Sequence, residues 1–178
     1  MPRPRPAPLP AYALYGEPLA GGAPDPLHCE SIAERSRLHG WEIRPHRHEA
    51  LFQLLVVERG RAEAWLDGAV QRLQGPAAIT VPALAAHGFR FSPSIEGMVF
   101  TLAEPRLAAL LQPHPGLAAA VLRLQGAALG PEAAAVLGAA RGLRDEALGH
   151  AGWRAAALDA GLLALAVGLA RGRAAAGA

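Results

Sequence analysis

From His28 to about Leu102 the apolar positions of the chain fall in short blocks with a period near two, separated by turn-forming residues. "ALFQLLVVE" is continuously apolar except at Gln53, the pattern of a strand buried on both faces. "GRAEAWLDGAVQRL" alternates around Leu-Asp-Gly, a hairpin signal. "HCESIAERSRL" reads as a further alternating strand, "GWEIRPHRH" is short and aromatic-led, and "PAAITVP", "HGFRFS" and "EGMVFTLA" complete the set. Strands of this length and spacing predict a sandwich or barrel.

After Ala103 the pattern becomes helical. A first helix opens at Glu104 and Pro105, where proline suits the first turn, and ends at Pro113, Pro115 and Gly116. A second is expected over about Leu117 to Gln125. A third, from near Pro131 to His150, places Ala133, Val136, Leu137, Ala140, Leu143 and Ala147 on one stripe. A fourth, about Trp153 to Arg171, is apolar around nearly its whole girth, which predicts burial against a partner subunit or a following domain. The chain is therefore expected to be mainly β with C-terminal α-helices: a flexible Pro-rich arm and lead-in over residues 1–27, a barrel over 28–103 and a helical region over 104–178.

Composition narrows the function classes. Of 178 residues 52% are apolar and 18% charged, which favours a globular chain over a disordered one. All the basic residues are Arg, and they are scattered; the net charge is +2. A nucleic-acid surface would show a basic stripe or a reading motif, and this sequence has neither. The single cysteine, Cys29, excludes an intramolecular disulfide and suits a reducing, cytoplasmic setting. "MPRPRPAPLP" lacks the apolar core of a signal peptide. The apolar run from Gly161 to Ala170 is too short to span a bilayer, so no membrane partner is expected.

The candidate chemistry lies in "PHRHEALFQ". His46 and His48 share a strand face because side chains repeat every two residues. Imidazoles bind Zn, Fe, Ni or Cu. Gln53 within a buried strand demands hydrogen-bond partners, which a ligand, a metal or a histidine would supply. On this strand Gln53, Leu55 and Val57 face one way, and Phe52, Leu54 and Val56 the other. The sequence contains no nucleophile elbow, P-loop, dinucleotide fingerprint or CxxC. His28, His39, His114 and His150 lack partners in spacing.

Gly40-x5-His46-x-His48-x4-Gln53-x6-Gly60 resembles the first motif of the cupin superfamily, and Gly75-x6-Pro82-x4-His87 more loosely resembles the second. The resemblance implies a double-stranded β-helix (jelly-roll) barrel with His46, His48, Gln53 and His87 at the positions of metal ligands. Gln53 stands where Glu is usual, and Leu84 where Gly is usual. A set of three histidines and one Gln is neutral and should hold a divalent cation less tightly than one carrying Glu. No cofactor is expected to be required, and Zn, Ni, Fe or Mn is the candidate occupant of the cluster.

"AYALYGE", "PHRHEALFQLLVVERG", "VPALAAHGFRFS" and "GMVFTL" are further similar to the N-terminal sensor domain of AraC/XylS-type transcriptional regulators, nearest to the branch that responds to 4-hydroxybenzoate. That resemblance implies a barrel that binds a small aromatic acid, helices that make a homodimer, and DNA contacts through a helix-turn-helix domain. The chain ends before any such domain, so DNA is expected to be met only through a part missing here. An aromatic acid needs an apolar slot and a cation. Trp41, Trp65, Phe89 and Phe91 are candidates for the slot. Arg44, on the strand parity of His46, and Arg61 are candidates for the cation, with Arg37 and Arg90 ranked below them. No catalytic residue is expected. The alternative is a metal-dependent cupin enzyme, a dioxygenase or isomerase.

Overall fold

A computed structural model describes residues 11–12 and 26–176. Ten strands, in chain order β1 (Ala11–Tyr12), β2 (His28–Ser31), β3 (Glu42–His48), β4 (Leu51–Arg59), β5 (Arg61–Leu66), β6 (Ala69–Gln74), β7 (Ala77–Val81), β8 (His87–Phe91), β9 (Glu96–Ala103) and β10 (Gln125–Ala128), form two five-stranded sheets. One has the order β1-β3-β8-β5-β6, the other β10-β7-β4-β9-β2. Apart from β1 on β3, the pairings are antiparallel. This is a cupin-like jelly roll, followed by helices that cover the second sheet. The expected arm at residues 1–10 lies outside the described residues.

The two faces of β4 organise the core. Phe52, Leu54 and Val56 belong to an apolar cluster shared with the helices; Leu55 and Val57 belong to a second cluster inside the barrel. Both faces are closed, which is why the sequence reads as one unbroken apolar run. Gln53 points with Leu55 into the barrel, as the alternation predicts. The β4–β5 corner turns at Gly60, with φ +90°; a Cβ there would lie 2.8 Å from the Cα of Ile95, so no side chain fits. The predicted β5–β6 hairpin turns at Asp67 and Gly68, both at positive φ, as a two-residue turn of this kind demands.

Two local expectations are corrected. "HCESIAERSRL" is a strand only to Ser31; Ile32–Arg37 is a helix, α1. The Ser31 hydroxyl accepts from the Glu34 N–H at 3.3 Å and so starts the helix. The second correction is β10. The segment expected to continue a helix to Gln125 stops at Val121, and Gln125–Ala128 pairs with the free edge of β7. Gly126 permits this: its N–H donates to the Gln71 side chain at 2.9 Å, where a Cβ would meet the same oxygen at 2.6 Å.

The helices are α2 (Glu104–Leu111), α3 (Pro115–Val121), α4 (Ala133–Leu148) and α5 (Arg154–Ala176). On α4 the predicted stripe is the one in contact with the core. Helix α5 sorts its apolar girth by size: Leu158, Leu162, Leu165 and Leu169 are buried within the chain, while Ala156, Ala160 and Ala164 are exposed. Its burial is therefore met largely by α3 and α4 of the same chain. The helix is longer than the ten-residue run suggested; residues Arg154–Ala175 are long and apolar enough to cross a membrane by length and composition alone.

Candidate functional site

Two strands bring the three histidines together. His46 and His48 come from the end of β3, and His87 from the start of β8, where it pairs with His46. Their ring centroids are 4.3 Å apart for His46 and His87, 4.9 Å for His46 and His48, and 5.4 Å for His48 and His87. All three are buried, and a ligand atom from each lies within 4.8 Å of the others. His46 Nδ1 is 2.8 Å from the Arg44 carbonyl oxygen, and His87 Nδ1 is 3.0 Å from that of Ala85. A carbonyl only accepts, so each Nδ1 carries the proton and each Nε2 carries a lone pair. This arrangement fits a metal ligand set, in which the far ring nitrogen of each histidine is fixed by a main-chain acceptor. His87 Nε2 is fully buried with no hydrogen-bond partner among the described residues, which fits the same use. A divalent transition ion there would be held by His46, His48 and His87, and would supply Lewis acidity toward a ligand oxygen.

Burial sets the electrostatics. Desolvation pushes the His46 imidazole below its usual range and drives His87 down to about 3, with His46, His48 and Arg35 nearby adding to the effect on His87. Both rings are neutral at physiological pH. Gln53 is buried and donates from Nε2 to Thr101 Oγ1 at 3.3 Å, across the β4–β9 pairing.

A cavity opens beside His46 inside the barrel. Its apolar wall is Ile32, Ile43, Leu55, Phe89, Phe91 and Val99; its polar wall is Arg35, Ser36, His46 and Gln53. The free space is about 20 Å³, room for a water molecule and not for an aromatic ring. Phe89 and Phe91 stack with centroids 5.6 Å apart, and Phe89 lies 5.7 Å from His87. A ring-sized ligand would have to displace part of this wall, to which α1, a six-residue helix, contributes Ile32, Arg35 and Ser36.

The predicted residues divide. His46, Gln53, Phe89 and Phe91 line the cavity, and His48 and His87 complete the histidine cluster beside it. Arg44 does not line it. A register irregularity between Ile43 and His46 breaks the strand parity, so Ile43 and His46 point inward while Arg44 is exposed. Arg61 and Arg37 are exposed. Trp65 alternates with the inward Ala64 and Leu66, and lies on the outer face under the Arg90 guanidinium at 5.4 Å. Trp41, at φ +67°, is half-buried against the barrel cluster without lining the cavity. Sequence reading missed Arg35, Ser36 and Ile32, all on α1. The Ser-x-x-Glu signature at Ser31–Glu34 would have revealed that helix.

The sequence profile described as "AraC-like ligand binding domain" matches residues 28–166. No curated protein matches the chain. Among solved structures, the AraC-like transcriptional activator CuxR is similar at 10% identity over 68% of this chain and 43% of CuxR, with a TM-score of 0.50, a likeness of fold. KdgF from Halomonas sp. is 28% identical over 34% of this chain and 56% of its own, with a TM-score of 0.32. An RmlC-like cupin from Shewanella frigidimarina is 22% identical over 35% of this chain and 54% of its own, with a TM-score of 0.31. The chain spans roughly half the length of these proteins.

Proposed function

Because the chain belongs to the AraC-like ligand binding domain family, we propose that it is the effector-sensing part of a transcriptional regulator and that its effector is a small aromatic acid of the hydroxybenzoate type. The observation that carries this is the barrel cavity: stacked Phe89 and Phe91 on one side, His46 and Gln53 on the other, and Arg35 at its wall. With part of that wall displaced, an aromatic face beside a few convergent polar groups suits such a ligand. The regulator reads DNA through another domain, acts in the cytoplasm, and pairs as a homodimer through residues 131–172. At the α4–α5 turn Trp153 is 90% and Leu148 66% exposed, which supports a partner surface there. Only a ligand that prefers one of two states of the barrel can signal.

The test is a thermal-shift and calorimetry screen of hydroxybenzoates, benzoates, sugars and divalent metals. Saturation by the true effector at about 100 times its Kd stabilises the fold by about 2.7 kcal/mol, a shift of several degrees. Stabilisation by hydroxybenzoates is expected; none at millimolar concentration would overturn the aromatic-acid reading. Light scattering tests the dimer. A second reading, a metal-dependent enzyme of dioxygenase or isomerase type, draws on the histidine geometry. Stoichiometric Fe, Mn, Ni or Zn in protein purified without chelator, with turnover lost in His46→Ala, would establish it.

A further inference from the structure

Among the described residues Arg35 is the one arginine on the cavity wall, and it is already engaged. Its Nη1 donates to Glu30 Oε1, from the strand just before its own helix. The other carboxylate oxygen, Oε2, lies 3.9 Å from His28 Nε2. The Arg35 and Glu30 side chains are 30% and 22% exposed, so the pair is neither sealed nor fully solvated. A guanidinium keeps its charge at every working pH and carries five donors in a planar fork suited to a carboxylate.

We propose that Arg35 is the carboxylate-binding group of the barrel cavity and that Glu30 is its resident competitor. An acid ligand then binds by exchanging places with Glu30, which moves toward His28. This rests on the sensor reading above and names the part of the ligand that is read. The exchange also reaches the helices. Glu30 sits on β2, where the neighbouring Cys29 packs into the cluster shared with α4 and α5. Displacing Glu30 therefore loads a strand that runs directly into α1 on the cavity wall and packs against α4.

The test uses the full chain and calorimetry with 4-hydroxybenzoate and its uncharged isostere 4-hydroxybenzamide. Removing the competitor in Glu30→Gln is expected to tighten acid binding about tenfold and leave the amide within about twofold. Arg35→Gln is expected to abolish the preference for acid over amide. A preference kept in Arg35→Gln, or weaker acid binding in a folded Glu30→Gln, overturns the proposal. If neither compound binds the parent protein, the aromatic-acid reading fails separately, and the exchange is then read with formate. The Arg35 Nε–H resonance should shift on formate titration, and at lower concentration in Glu30→Gln; no shift in either protein overturns it.

Discussion

His46 and His87 face each other across the β3–β8 pairing with centroids 4.3 Å apart, and each ring is tied through Nδ1 to the carbonyl two residues before it. The consequence is a pair of fixed imidazoles that burial holds in the neutral form, with the Nε2 of His87 fully buried. That single relationship governs how the barrel responds to protons and to metals.

Protons come first. The folded His87 titrates at about 3, while an unfolded histidine titrates near 6.5. Above 6.5 neither state is protonated and the contribution of His87 to stability is complete. As pH falls from 6.5 toward 3 only the unfolded chain takes up the proton, so stability is lost across that window. The full span corresponds to roughly 3–5 kcal/mol. For metal-free protein, Tm should drop more steeply between pH 6.5 and 4 in the parent than in His87→Leu. Parallel curves would remove this account of His87.

The cupin resemblance assigns Gln53 to a fourth ligand position beside the three histidines. Gln53 lines the cavity beside His46 and contributes no charge. Gln53→Glu adds a carboxylate beside neutral histidines, so it should raise affinity for Zn²⁺ or Ni²⁺ by tenfold or more. Without metal the same change replaces a neutral amide by a buried acid, whose desolvation should cost about 1–3 kcal/mol. Metal titration and chemical denaturation, run on the same variant, should therefore move in opposite directions.

Ligand binding should follow the cavity wall and ignore the sequence parity. Arg44→Ala, Arg61→Ala and Trp65→Phe lie off the wall and should leave 4-hydroxybenzoate affinity within about twofold, since the last changes only an outward face. Phe89→Ala removes a fully packed ring next to His87 and should cost about 3–4 kcal/mol of stability while weakening the acid and its amide alike. Calorimetry on the four variants checks the division; a large loss in Arg44→Ala would return that residue to the site.

The fold was legible wherever one physical rule acted alone. The unbroken apolar run of β4, the Asp67–Gly68 turn and the stripe of α4 each follow from local periodicity or turn chemistry, and each stands where the sequence put it. The histidine cluster was legible from spacing because β3 keeps its alternation from His46 onward. What failed needed a longer-range cause. Arg44 faces outward because the strand is irregular between Ile43 and His46; Pro45 marks that break in the sequence, but which way Arg44 turns depends on the pairing with β8. Strand β10 forms because β7 offers an open edge, although "QGAA" has little strand propensity of its own. Arg35 is hidden in the sequence because "HCESIAERSRL" can alternate like a strand, whereas it is the helix α1 that carries Arg35 to the cavity wall.

The packing of α5 on α4 gives a prediction whose sign differs between two glycines. Gly168 on α5 is buried, and a Cβ there would lie 2.7 Å from Val136 Cγ2, itself fully buried. Gly142 on α4 is exposed, with nothing within 4 Å of the position a Cβ would take. Replacing either by Ala recovers about 0.5–1 kcal/mol of helix propensity. At Gly142 nothing opposes that gain, so Gly142→Ala should raise Tm by about 1–4 °C. At Gly168 the overpacking cost of about 1–3 kcal/mol exceeds it, so Gly168→Ala should lower Tm, and Gly168→Leu should lower it further. Thermal melts of the three variants check this, and a stabilising Gly168→Ala would mean that α4 and α5 sit farther apart than the Val136 contact requires.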